Sequence, residues 1–131
     1  VAAVRLPLAP PGSGAAFHEL ARRHGDFAIA GAGAVVTVAD GRVTEARVAC
    51  LGVGVVPVRA RTAEQMLLGG AASEAAIAAA ARAAAAELEP GGDLHASAAF
   101  RRHAAEVLMA RALRDATARA HRDDHNGGQA A

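Results

Sequence analysis

The sequence has no tryptophan, no tyrosine and only three phenylalanines, Phe17, Phe27 and Phe100. Base-stacking platforms of the kind that single-strand nucleic-acid binders use are therefore missing. Charge of one sign is missing as well: the formal net charge is +1 and the arginines are spread along the chain, so there is no basic stripe and a nucleic-acid partner is excluded. With one cysteine, Cys50, no intrachain disulfide can form, which fits a reducing, cytoplasmic compartment. Cys50 lies in a strand-like run and reads as a small buried apolar residue. No apolar run reaches the roughly 20 residues of a membrane span, because Arg82 and Glu87 interrupt the alanine-rich stretch. No signal-peptide pattern follows Val1, and a first residue other than Met reads as a cut inside a longer protein.

What is present fits one domain of 131 residues, enough to bury roughly two-thirds of the surface that the unfolded chain exposes. The hydrophobic fraction is 53%, but much of it is alanine, which favours helix and buries little area per residue. The core then rests on few large side chains, and the three phenylalanines with the Val, Leu and Ile positions are the expected anchors.

Val1 to Leu8 reads as a short strand ending at Pro7, followed by a Pro/Gly bend at 9–14. Ala15 to Leu20 extends again with Phe17 inward. From Phe27 to Val38 the chain is almost wholly apolar, and its β-branched second half favours a strand. Asp40-Gly41 supplies hairpin chemistry, Arg42 to Leu51 returns, and Val55 to Val58 pairs at an edge. Thr62 with Gln65 reads as a capping box for a helix through Leu68, and Ser73 caps a second helix, Glu74 to Leu88. A last helix runs from about Ser97 to Ala120, with Phe100, Ala104, Val107, Leu108 and Ala112 as one apolar stripe and Asp115 paired to Arg119. Residues 1–120 form the domain and 121–131 a polar, disordered tail. Strands followed by helices give an α+β fold, an antiparallel sheet layered with helices.

Few residues suggest chemistry by themselves. Gly31 to Gly33 and Gly52 to Gly54 lack the third glycine and the helix opening of a dinucleotide fingerprint, so close backbone packing explains them better than a phosphate turn does. His121 and His125 stand at i,i+4 with Asp123 and Asp124 between, a weak metal pattern in a segment that reads as a solvated tail. Neither Ser13 nor Ser97 has triad partners nearby, and Cys50 has no adjacent cation, so a hydrolase is unsupported. The segment Ala21 to Ala30 concentrates Arg22, Arg23 and Asp26 at the mouth of a buried strand, either as a salt-bridged turn or as a functional rim.

The ordered set Phe17-His18-Glu19-Leu20-Ala21-Arg22-Arg23, Gly25-Asp26-Phe27-Ala28, Asp40-Gly41-Arg42-Val43, Ala49 to Gly54 and Pro57-Val58-Arg59-Ala60 with Glu64 and Leu67 resembles the C-terminal domain of the FAD-binding, medium subunits of molybdenum hydroxylases of the carbon monoxide dehydrogenase and xanthine dehydrogenase type. The ending, Asp93 to Arg102 followed by Leu108, Arg111-Ala112-Leu113 and Ala116, is similar to the family's closing helix, with Phe100 where Tyr is usual. The resemblance implies an α-β-α layered unit that leans over a flavin held by a preceding domain of the same subunit. It also implies an oxidoreductase complex with a molybdopterin-binding large subunit and a 2Fe-2S small subunit, in which electrons pass through the clusters to FAD and on to an external acceptor.

By the same resemblance, His18, Arg22, Arg23, Asp26 and Phe27 are the cofactor-proximal residues. His18 stands where relatives often carry Lys, and a neutral imidazole would not supply that constant positive charge. FAD would be bound mainly by the preceding domain, so the chain alone is expected neither to hold FAD tightly nor to turn over. Arg101 and Arg102 are expected to meet a partner subunit or the preceding domain. The alternative is a non-enzymatic α+β protein-interaction module.

Overall fold

The structure, a computed structural model, describes residues 2–5 and 8–127, with side chains as far as residue 122. Ala2 to Arg5 and Leu8 to Pro10 carry no regular structure, so no strand forms in the described part of the expected Val1 to Leu8 segment; Val1, Leu6 and Pro7 lie outside the described residues. The chain then forms β1 (Ser13–Ala21), β2 (Ala28–Ala39), β3 (Arg42–Leu51), β4 (Val58–Arg59), α1 (Arg61–Leu67), α2 (Glu74–Ala86) and α3 (Ala98–Gly127). All neighbouring strands pair antiparallel in the order β1-β2-β3-β4.

The β2–β3 hairpin closes where its chemistry predicts. Asp40 and Gly41 both take positive φ, 51° and 72°, the two-residue geometry whose twist matches that of the flanking strands. Strict alternation then sends Ala30, Ala32, Ala34 and Val36 of β2, with Ala46, Val48 and Cys50 of β3, to one buried face. These side chains are mostly small, so α3 can approach the sheet closely. It lies over β1 and β2, and α2 packs beside it. Leu108, Met109, Leu113 and Ala116 of α3 and Ile77 of α2 complete the core. Fully burying a side chain such as Leu113 or Met109 contributes about 1.5–3 kcal/mol.

The closest approach is at Gly14 on β1. A Cβ there would stand 2.0 Å from the Ala116 carbonyl oxygen and 2.5 Å from the Ala120 nitrogen. Only a hydrogen fits between the strand and the helix backbone.

The three phenylalanines are not the anchors. Phe17, Phe27 and Phe100 are 56%, 95% and 46% exposed. On β1 the alternation that turns Gly14 and Ala16 toward α3 turns Phe17 the other way, where its ring lies over Gly33 of β2. That outer face also carries Ala15, Val35 and Ala49 beside Arg47 and Arg59, and it is uncovered. Among the described residues the expected α-β-α layered unit is therefore two layers, with the helices on one sheet face.

Other local expectations are revised by tertiary partners. β4 is only two residues long, because Val55 and Val56 stand out in solvent. Thr62 does not cap α1. Its N-cap is Ala60, without a side-chain bond, and the Thr62 hydroxyl donates to the Glu87 carboxylate at 2.7 Å. Ser73 does cap α2, its Oγ accepting from the Ala76 N–H at 3.2 Å. In α3 the buried stripe omits Phe100. Asp115 and Arg119 do not pair with each other: Asp115 binds His18, and Arg119 donates to the Ala15 carbonyl. α3 also continues past residue 120, to Gly127.

Candidate functional site

The connection from β1 to β2 folds around Asp26. Gly25, at φ 80°, turns the chain, and the Asp26 N–H donates to the Arg23 carbonyl at 3.2 Å. One Asp26 carboxylate oxygen then accepts from the Phe27 N–H at 2.9 Å, and the other accepts from Arg22 Nη2 at 2.9 Å, with Arg23 Nε 3.9 Å away. The backbone N–H of Phe27, then Arg22, hold the Asp26 carboxyl below its usual range, and His95 adds a coulombic contribution. This turn is closed on itself and offers outward the Arg23 guanidinium, His24 and the Phe27 ring, which is 95% exposed.

His18 is held apart from this loop. It lies on the α3 side of β1, where its Nε2 meets Asp115 Oδ2 at 2.8 Å. Thus the structure joins Arg22, Asp26 and the Phe27 N–H in one turn, whereas His18 pairs with an acid 97 residues later in the chain.

A second ion pair sits behind the same end of the sheet. Arg101, in the first turn of α3, has a side chain only 11% exposed. Its Nη1 donates to the Ile29 carbonyl at 2.5 Å and to the Gly52 carbonyl at 3.2 Å, and its Nη2 meets Asp93 Oδ2 at 2.6 Å. Asp93 in turn accepts from the N–H groups of His95, at 2.8 Å, and Ala96, at 3.0 Å. These bonds, led by that of His95 and followed by Arg101, lower its carboxyl to about 2. Arg102 donates from Nε to the Leu88 carbonyl at 3.0 Å. Both arginines, expected to reach outward, are bound inside the chain. An Asp-x-His-Ala turn just before a helix is a readable local signal for Asp93, but nothing in the sequence links Arg101 to Ile29 or Gly52.

The glycine pairs do not make a phosphate cradle. Gly52 has φ 74°, and a Cβ there would stand 2.5 Å from the Ile29 carbonyl oxygen; Gly31 lies under the Leu51 side chain. Both serve close packing. Cys50 is fully buried, and burial pushes its thiol up to about 11. Among the described residues no group of three or more His, Cys, Asp or Glu could hold a metal, and no helix is long and apolar enough to cross a membrane. The side chains of Asp123, Asp124 and His125 lie outside the described residues.

Residues 15–116 match the family described as CO dehydrogenase flavoprotein C-terminal domain. The chain is 41% identical over 118 residues to subunit alpha of the 6-hydroxypseudooxynicotine dehydrogenase complex of Paenarthrobacter nicotinovorans, covering 89% of this chain and 40% of that protein. It is 34% identical over 118 residues to the carbon monoxide dehydrogenase medium chain of Afipia carboxidovorans, covering 90% and 41%. Among solved structures, the carbon monoxide dehydrogenase of Hydrogenophaga pseudoflava that lacks the Mo-pyranopterin moiety superposes with a TM-score of 0.83 at 38% identity, covering 87% of this chain and 40% of that one. The chain thus spans about two fifths of the length of these relatives.

Proposed function

The chain belongs to the CO dehydrogenase flavoprotein C-terminal domain family, and from that premise we propose that it is the C-terminal domain of the FAD-binding medium subunit of a molybdenum hydroxylase. In this reading the complex is a cytoplasmic oxidoreductase. Its partners are a preceding FAD-binding domain, a molybdopterin-binding large subunit and a 2Fe-2S small subunit. Substrate chemistry belongs to the large subunit. FAD, when bound, takes electrons arriving from the iron-sulfur clusters and yields them to an external acceptor.

The residues present fit a flavin only from outside. With Gly31 against the Leu51 side chain and Gly52 against the Ile29 carbonyl, neither of these two glycine turns is open to a pyrophosphate. The turn from Arg22 to Phe27, by contrast, fits the rim of a ring held elsewhere: it is closed by its own hydrogen bonds, ion-paired and tipped by an exposed aromatic. That self-closed turn, in a chain of this family, is the observation that carries the reading. Asp26 places a carboxylate that opposes added negative charge on a neighbouring ring, Arg22 offsets it, and Phe27 limits the approach of solvent and acceptor.

The test is Asp26→Ala in the full FAD-binding subunit, read as the flavin midpoint potential. Loss of one nearby carboxylate removes a negative charge that opposes reduction of the ring, so the midpoint potential is expected to rise. An unchanged potential rejects the flavin-proximal role of this turn. The chain on its own is expected to bind FAD weakly and to show no turnover. Micromolar or tighter binding in an FAD titration would count against that.

A further inference from the structure

Three loops converge on Arg101. Through Ile29 it holds the start of β2, just after the Arg22 to Phe27 turn; through Gly52 it holds the connection from β3 to β4; through Asp93 it holds the connection from α2 to α3. Each of these segments carries a large apolar side chain standing in solvent, Phe27 at 95%, Val55 at 105% and Leu94 at 100% exposure. Because Arg101 bonds both Ile29 and Asp93, the α2–α3 connection is held against the start of β2, next to the Asp26 turn. A planar guanidinium is suited to this task, because its fixed fork serves two carbonyls from one nitrogen and a carboxylate from the other, whereas an ammonium offers all its donors from a single nitrogen on a flexible stem.

We propose that Arg101 is a positioning residue that sets the Asp26 turn against the other two loops and thereby fixes how this end of the domain meets the flavin and its electron acceptor. The proposal rests on the flavin-proximal reading of that turn. Arg101 acts through Ile29 and Asp93 and itself touches neither cofactor nor acceptor. Its effect should therefore depend on the turn it positions, whereas a residue needed only for folding would act independently of it.

The experiment uses the assembled complex with Arg101→Lys, Asp26→Ala and the double variant, measuring apparent KM and kcat with a soluble quinone analogue as acceptor, and Tm as the structural control. Arg101→Lys is expected to raise the acceptor KM several-fold, with about tenfold, the worth of one hydrogen bond, as the upper limit for an effect passed on through the turn, and with kcat nearly unchanged. The double variant is expected to be no worse than Asp26→Ala alone. If Arg101→Lys lowers Tm but leaves KM in place while Asp26→Ala moves it, the positioning role is overturned and the reading of the turn stands. If Asp26→Ala also leaves KM and the flavin potential unchanged, both fall. Additive effects in the double variant likewise overturn the proposal. Should Arg101→Lys not assemble, Asp93→Asn loosens one of the three attachments and is expected to give a smaller KM rise in the same direction; no KM change there overturns the proposal.

Discussion

Replacing Gly14 by alanine puts a methyl group where β1 and α3 meet. The new carbon would stand 2.0 Å from the Ala116 carbonyl oxygen, 2.5 Å from the Ala120 nitrogen and 2.9 Å from the Arg119 Cβ. Two of these neighbours are helix backbone, which no rotamer change can move. Ordinary contact is about 3.5 Å, so α3 must retreat by roughly 1 Å or more, and a gap of that size forfeits up to about half of each affected contact. The contacts at risk are those of the buried α3 side chains nearest the site, Ala112, Leu113, Ala116 and Ala120, against β1 and β2. Overpacking of this kind costs about 1–3 kcal/mol, and the backbone clash places Gly14→Ala at the upper end. With an unfolding entropy of about 2.1 cal/mol/K per residue, about 3 kcal/mol lowers Tm by roughly 10 °C. The assay is thermal unfolding followed by far-ultraviolet circular dichroism, since the chain has no Trp or Tyr to report by fluorescence. Gly91→Ala, whose Cβ would meet nothing within 4 Å, is the control and is expected to change little. A Gly14→Ala variant as stable as that control would refute the reasoning.

Acid stability should carry a signature of Asp93. Its folded pKa of about 2 lies below the ordinary 3.8, so the stability it contributes is present above about pH 3.8 and is lost as pH falls from there toward 2. Urea unfolding across that window should show a smaller decline for Asp93→Asn than for the parent chain, and equal slopes would discount the His95, Arg101 and Ala96 bonds as the cause. Phe17→Ser should leave the stability of the chain within about 0.5 kcal/mol, as for a surface position, whereas Leu113→Ala should cost about 2–5 kcal/mol. Equal losses in denaturant titrations of the two variants would mean that Phe17 is a core residue after all.

The parts of the fold that could be read from the sequence are those whose cause is local. Asp40-Gly41 specifies its own backbone, Ser73 bonds an N–H three residues away, and the alternation of β3 from Val43 to Cys50 fixes its limits. The charged turn of the candidate site was legible for the same reason, because Arg22 and Asp26 are neighbours in sequence and bond to each other. His18 was recognisable as a candidate, but its partner Asp115 is 97 residues away, and Arg101 reaches Ile29 and Gly52 across 72 and 49 residues. No spacing rule reports such distances.

The misplacement of Phe17 has a different origin. Antiparallel strands usually declare their buried face by alternating apolar with polar residues, one side toward a core and the other toward water. On β1 and β2 both alternating sets are apolar: Gly14 and Ala16 oppose Ala15 and Phe17, and Ala34 and Val36 flank Val35. Choosing the set with the largest side chain as the buried one then gives the wrong answer. What decides is the partner. α3 approaches so closely that its backbone nearly touches Gly14, and only the small-residue set can lie beneath it. Smallness at Gly14, Ala16, Ala32 and Ala34, rather than size at Phe17, is the signal that marks the inner face. The same rule accounts for a core built largely of alanine and valine while every aromatic ring of the chain is left at the surface.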